Sequence, residues 1–220
     1  MAWHYVITDG YNWAPTYGTN QTDNAREIWN TLVNSYHWTE NSASAVLGNF
    51  QVESFINPGQ FEIGYNYDRS RGFGLGQWTP STKISNYIGS TNFSDMADGA
   101  KQLLYLLDTP SQYSTHYLNP DGSSTYYNET GLPYISSMAE FSQSNSSITD
   151  LTKLWAICWE RPGAKYYTNS ISNRINHASH WYNTFTGSTP EPPTPPTPPP
   201  PSDAQSIYYI LMKRRKRKFY

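Results

Sequence analysis

Residues 190–201 read Pro-Glu-Pro-Pro-Thr-Pro-Pro-Thr-Pro-Pro-Pro-Pro, nine prolines in twelve positions. Proline locks φ and removes the backbone donor, so no helix or sheet ladder runs through such a segment. The expectation is an extended polyproline II rod, about 37 Å long at roughly 3.1 Å per residue. Any folded core is confined to what precedes it, with the boundary at Gly187. The chain therefore divides into a domain over 1–187, a Pro-rich linker over 188–203 and a tail over 204–220. The tail is apolar from Ile207 to Met212 and basic from Lys213 to Lys218. It is too short to fold alone, so it is expected to dock onto a partner protein or an anionic surface; a solvated charged end is the plainer reading.

That division changes the meaning of the charge. The whole chain carries a formal −2, but six of its fifteen basic residues lie in the tail run. The body keeps nine basic and fifteen acidic residues, which argues against nucleic acid as its partner. Only 15% of residues are charged while 16% are aromatic, against about 25% charged in an average chain. A surface rich in hydrogen-bonding aromatics suits uncharged ligands, sugars foremost, or simply solubility. No apolar run approaches the roughly 18 residues that a membrane span needs. The first ten residues have neither a basic start nor an apolar stretch, so a secretory signal peptide is not expected. One cysteine, Cys158, excludes a disulfide framework and a cysteine-based zinc site.

Within the body, apolar spacing and caps predict helices over 23–38, from Asn41 or Ser42 to Ser54, from Thr79-Pro80 to Ile88, and from Ser94 to Leu107. Others are expected over 133–142, 149–160 and 169–185. Residues 61–78, with short Phe, Ile, Tyr and Gly-rich pieces, are expected as a β-hairpin or small sheet. The fold class so read is α+β, mostly α.

The chemistry is concentrated in two stretches. In Gly48-Asn-Phe-Gln-Val-Glu-Ser54, Val46, Phe50 and Glu53 share one helix face at i, i+4 and i+7. That places Glu53 on the core side of a helix, in its last turn. Partial burial and the negative helix end both disfavour the anion, which is what a general acid for a glycosidic oxygen requires. A solvated Glu at the rim of an amphipathic helix fits the same pattern. The second stretch is Arg71-Gly-Phe-Gly-Leu-Gly-Gln-Trp78. In a strand, Gly72, Gly74 and Gly76 would leave one face bare, and a sugar could lie against it beside Gln77 and Trp78. A tight bulged hairpin without a ligand is the alternative. The spacing lacks both the dinucleotide pattern and a Gly-Lys-Ser/Thr ending, so a phosphate loop is rejected.

Glu53-Ser54, followed some twenty residues later by Gly74-Leu-Gly-Gln-Trp-Thr79, resembles the lysozyme superfamily, most closely the tail-associated lysozymes of bacteriophages. Trp159-Glu-Arg-Pro-Gly163, Arg174 and Ala178-Ser-His-Trp-Tyr182 are similar to that family's closing helices. The resemblance covers roughly residues 22–186. It implies a lysozyme-like domain that cleaves peptidoglycan glycan strands from a phage virion, with Glu53 as general acid and no metal or organic cofactor. For a second carboxylate, Asp68 is preferred to Glu62, because its polar neighbours would keep it ionised. The substrate's own N-acetyl group could replace it, giving lytic transglycosylase products. Ser54, Glu62, Tyr65, Tyr67, Gly74, Gly76, Gln77 and Trp78 are the expected glycan-binding residues. A non-catalytic module that binds wall glycan is the further alternative, and the tail would then meet other phage tail proteins.

Weaker candidates have plainer readings. Cys158 with His177 or His180 could make a thiol peptidase, but a free Cys between Trp155 and Trp159 is more often core. His177 and His180 at i, i+3 lack a third ligand for zinc. Arg161 and Arg174 could pair with Glu160 or with sugar carboxylates; a structural ion pair is the commoner outcome.

Overall fold

The computed structural model describes residues 3–10 and 13–187. The proline linker and the basic tail lie outside the described residues. The elements are α1 (Thr19–Trp29), α2 (Glu40–Ser54), α3 (Thr82–Ile88), α4 (Phe93–Met96), α5 (Gly99–Asp108), α6 (Met138–Ser142), α7 (Ile148–Trp155) and α8 (Ala164–Thr186). Two π-helical turns, Asn30–Ser35 and Ala156–Glu160, extend α1 and α7.

The domain is built around α2. Thr39 caps it, its hydroxyl accepting from the Ser42 N–H at 3.2 Å and donating to the Ser144 carbonyl at 2.7 Å. From Ser42 to Gln51 every residue of α2 is buried. A helix buried on all sides needs partners all round, and three others supply them. On one side Asn49 Nδ2 donates to the Thr152 carbonyl of α7 at 3.2 Å. On another Gln51 Nε2 reaches Gln21 Oε1 of α1 at 3.2 Å. The third side is taken by α8, which crosses at Gly48. A Cβ there would stand 2.4 Å from the Arg174 carbonyl oxygen and 2.6 Å from Ala178 Cβ. Only glycine lets two helix backbones come this close, and that crossing decides where Arg174 sits.

The expected β-hairpin or sheet is not present. Among the described residues there is no strand, only three isolated bridges: Thr8 with Gln60, Phe61 with Phe73, and Ser124 with Glu129. The fold is therefore helical, and the α+β assignment is corrected. The cause lies in the residues that suggested a strand. Gly64, Tyr67, Gly74 and Gln77 all adopt positive φ, which extended strands exclude. The Gln102 side chain of α5 also occupies the space beside Gly74, 2.4 Å from where a Cβ would lie. Gln102 Oε1 accepts from the Leu75 N–H at 2.8 Å, and its Nε2 donates to the carbonyls of Pro58 and Met96 at 2.7 Å each. One buried side-chain amide thus satisfies backbone groups that a neighbouring strand would have paired.

Helix ends moved by a few residues where caps decide them. Asn92 and Asp98 each cap a helix, so the run expected from Ser94 to Leu107 splits into α4 and α5. The Thr79–Pro80 bond is cis, and α3 starts at Thr82. In 133–142 only Met138–Ser142 is helical, behind a Ser137 cap.

Candidate active site

Glu53 ends α2. Phe55, at φ 54°, turns the chain out of the helix. Asn49 and Glu53 lie at i, i+4 and so share a face, and α8 lays Arg174 along it. The guanidinium donates through Nη1 to Asn49 Oδ1 at 2.7 Å, through Nε to Ser170 Oγ at 3.2 Å, and through Nη2 to Glu53 Oε1 in an ion pair. The Asn49 amide is oriented for this, because its Nδ2 is already committed to the carbonyls of Ala45 and Thr152. The Arg174 side chain is 0% exposed and that of Glu53 14%. The Tyr166 ring lies 5.7 Å from the guanidinium carbon. Tyr166 also lines an open depression of about 500 Å³ with Gly163, Ala164, Lys165 and Asn169. The carboxylate expected among apolar side chains thus meets a buried cation, while Val46 and Phe50 of the same stretch do enter the core.

A second carboxyl group, that of Glu160, lies within electrostatic reach of this cluster. Trp155 and Glu160 stand five residues apart, a spacing that an α-helix splays but a π-turn brings into register. The Arg161 N–H closes the π-turn on the Ala156 carbonyl at 2.8 Å, and Trp155 Nε1 donates to Glu160 Oε1 at 3.0 Å. Burial first, and then the charge of Glu53, push the Glu160 carboxyl well above the ordinary carboxylate range. Arg174, the Trp155 bond and Arg161 oppose that rise. Burial works against the Arg174 charge, but Glu53 and Glu160 outweigh it, so this side chain stays a cation.

In the sequence Glu160 was visible as a partner for an arginine and as part of the family-like stretch Trp159-Glu-Arg-Pro-Gly163, with no role of its own. One further signal was its place at the end of the helix expected over 149–160; in the structure Glu160, like Glu53, lies in the last turn of a helical run and is closely followed by a residue in left-handed conformation. Both carboxylates therefore sit where helix carbonyls disfavour negative charge.

The other expected carboxylates occupy the loop before α3. Asp68 accepts from the Ser70 hydroxyl at 2.7 Å and the Ser70 N–H at 2.8 Å. Those bonds, with a smaller contribution from Arg71, hold its carboxyl below the usual range. Glu62 accepts from the Gly72 N–H at 3.1 Å and lies 3.7 Å from Arg71 Nη1. Among the described residues neither bonds to Glu53. Tyr65 lies under the Arg71 guanidinium at 4.0 Å, and Tyr67 is 65% exposed.

The remaining expected binding residues form the scaffold under Glu53. Ser54 is buried, and its hydroxyl donates to the Leu75 carbonyl at 2.9 Å, tying the Glu-Ser stretch to the glycine-rich one. Gly76 leaves room for the rings of Phe50 and Trp78, which a Cβ would meet at 3.2–3.3 Å. Gln77 Nε2 donates to the carbonyls of Gln60 and Gly74 at 3.0 and 3.1 Å. Trp78 is 4% exposed and meets Phe50 and Tyr105 edge-on. Gly74 makes space for Gln102.

The cysteine and histidine candidates are occupied otherwise. Burial pushes the Cys158 thiol up to about 11, so it is not a thiolate near neutral pH. His177 Nδ1 meets the Tyr17 hydroxyl at 2.5 Å, and the Tyr17 ring stacks on His180 at 3.4 Å. Among the described residues, no three His, Cys, Asp or Glu side chains are grouped to hold a metal ion. No helix there is long and apolar enough to cross a membrane.

Comparison with known proteins converges on one family. The phage tail lysozyme family matches residues 23–185, from α1 to the end of α8. The chain is also 30% identical over 168 residues to morphogenesis protein 1 of Bacillus phage B103. That alignment takes in 76% of this chain and 40% of the phage protein, so the chain spans less than half the length of that relative. The matched span contains Glu53, Glu160 and Arg174, and the chain belongs to the phage tail lysozyme family.

Proposed function

We propose that the domain cleaves the glycan strands of peptidoglycan, as a muramidase carried in the virion, and opens the host wall locally during infection. Peptidoglycan is the substrate that membership of a lysozyme family implies. The observation that carries the assignment is the Glu53 carboxyl, held by the fully buried Arg174 at the end of α2 yet not wholly covered itself. A rigid scaffold that fixes one carboxyl at the edge of the core is what proton delivery to a leaving oxygen needs. In this reading Glu53 protonates the glycosidic oxygen. Asp68, kept ionised by Ser70, stabilises the positive charge that develops on the sugar. Tyr65 and Tyr67 offer exposed rings for sugar stacking. Ser54, Gly74, Gly76, Gln77 and Trp78 support the wall of the site from beneath.

The test is digestion of purified sacculi by the wild type and Glu53→Gln. Glutamine keeps the size and the hydrogen bond to Arg174 but has no proton to give. The expected result is a folded variant that releases no muropeptides; undiminished release refutes the assignment. Mass spectrometry of wild-type products separates hydrolysis from lytic transglycosylation, because anhydro-muramyl ends lack one water. Binding to sacculi without release by the wild type would make the domain a glycan-binding module.

A further inference from the structure

Two residues after Glu53 the backbone enters a conformation that its side chains oppose. Phe55 and Ile56 adopt φ 54° and 55°, the only adjacent pair at positive φ among the described residues. A β-branched residue is an outlier there, and such backbone persists only where its surroundings over-determine it. The carbonyls of both residues are held from the N-terminal side of the chain. Trp13 Nε1 donates to the Phe55 carbonyl at 2.9 Å, and Asn24 Nδ2 donates to the Ile56 carbonyl at 3.0 Å. We propose that the N-terminal segment is a positioning element for Glu53, with Trp13 as its positioning residue: it holds the left-handed turn in which α2 ends and so keeps the carboxyl against Arg174. The proposal rests on the reading of Glu53 as the general acid.

A bond to a carbonyl fixes the tilt of a peptide plane, and that tilt sets ψ of one residue and φ of the next. The Trp13 bond therefore acts on ψ of Phe55 and φ of Ile56, and the Asn24 bond on ψ of Ile56. Asn24 is itself tied to the segment. Its Oδ1 accepts from the His4 N–H at 2.8 Å, and its Nδ2 also donates to the His4 carbonyl at 2.7 Å. Asn57 treats Val6 alike, accepting from its N–H at 3.2 Å and donating to its carbonyl at 2.8 Å. The Thr8 N–H donates to the Gly59 carbonyl at 3.2 Å, and the Thr8 carbonyl accepts from the Phe61 N–H at 2.7 Å. Residues 4, 6 and 8 are thus each tied through both backbone groups to the stretch on either side of the turn. Gly59 admits the segment this closely, since a Cβ there would stand 2.6 Å from the Val6 carbonyl oxygen.

Were Phe55 and Ile56 to relax to negative φ, α2 would run on past Ser54 and draw 57–61 with it. The Gln60 carbonyl accepts from Gln77 Nε2 at 3.0 Å and from the Gly74 N–H at 2.8 Å. The same relaxation would therefore loosen the glycine-rich stretch beneath Glu53. His4, Val6, Thr8 and Trp13 all precede the matched span 23–185, so this support comes from outside it.

The experiment compares lysis of purified sacculi by the wild type, Trp13→Phe, Phe55→Gly and the double variant, with Glu53→Gln as reference. Phenylalanine keeps a ring at position 13 but has no N–H to donate. Glycine at 55 takes positive φ without a Cβ penalty and holds the helix end unaided. Trp13→Phe should lose roughly tenfold in maximal rate, with the half-saturating amount of sacculi and the Tm close to wild type. In the Phe55→Gly background the same substitution should cost less than about twofold, because the turn then no longer needs the donor. An undiminished maximal rate in Trp13→Phe overturns the proposal, as does a lower Tm with an unchanged rate per folded molecule, the mark of a merely structural contact. An equal loss of rate in both backgrounds also overturns it. If Trp13→Phe does not fold, the double variant decides: it should fold and lyse, and its failure to do either overturns the proposal. An active Glu53→Gln defeats the assignment of the acid itself. An inactive Glu53→Gln beside an undiminished Trp13→Phe removes only the role of the N-terminal segment.

Discussion

Gly48→Ala tests the step on which the site depends, the close crossing of α2 and α8. An added Cβ would stand 2.4 Å from the Arg174 carbonyl oxygen, 2.6 Å from Ala178 Cβ and 2.7 Å from the Ala178 nitrogen. All three belong to α8, and two are backbone atoms, so no side-chain rotation relieves the overlap. Ordinary contact begins near 3.4 Å, so α8 must withdraw by about 1 Å. Overpacking of this kind costs roughly 1–3 kcal/mol. Alanine in place of a mid-helix glycine returns up to about 1 kcal/mol. The net loss should be about 1–2 kcal/mol, or a Tm lower by roughly 2–8 °C for a domain of this size. The same displacement carries Arg174 away from Asn49 and Glu53. A misplacement of about 1 Å at a catalytic group commonly costs on the order of a hundredfold in rate. Thermal unfolding followed by circular dichroism and turbidity loss of sacculi measure the two effects. A Gly48→Ala protein as stable and as lytic as the wild type would refute the crossing and the positioning argument built on it.

Two further outcomes follow from burial. His177 is pushed down to about 4, by burial first and then by His180. Because the unfolded chain binds that proton near pH 6.5, stability should fall as pH drops below about 6.5 and level off near 4. After discounting for the partly exposed ring, the loss is about 1–2 kcal/mol, and His177→Gln should flatten the dependence of Tm on pH over that window. Cys158 should resist a thiol reagent in the native protein and react once unfolded, and Cys158→Ala should keep its lytic activity; loss of lysis with the fold intact would restore the thiol as a candidate.

The two motif-bearing stretches were legible because their chemistry is local. A Glu in the last turn of a helix and a run of alternating glycines are both visible as spacing. What they build was not. Alternating glycines fit a bare-faced strand equally well until Gln102 is placed, and that residue comes from a helix more than twenty positions away. Its amide satisfies the backbone of 58–75 in place of a second strand, and no pattern within 61–78 records it. Trp78 shows the same limit. Its position beside Gln77 suggested a sugar platform, whereas its ring is enclosed by Phe50 and Tyr105.

Residue order alone sets the expected end of the folded domain, at Gly187, because proline chemistry acts within the residue itself. It determined the central helices to within a few positions, because period and caps act over one or two turns. It also singled out Glu53, though among apolar neighbours and with no cation beside it. Only the tertiary structure decided the electrostatics of that carboxyl. Arg174 lies 121 residues further along the chain, and Glu160 arrives on a third element through a π-turn. The reason is that charge interactions act through space, and the distances that set them are created by the packing of α8 against Gly48, not by separation along the chain.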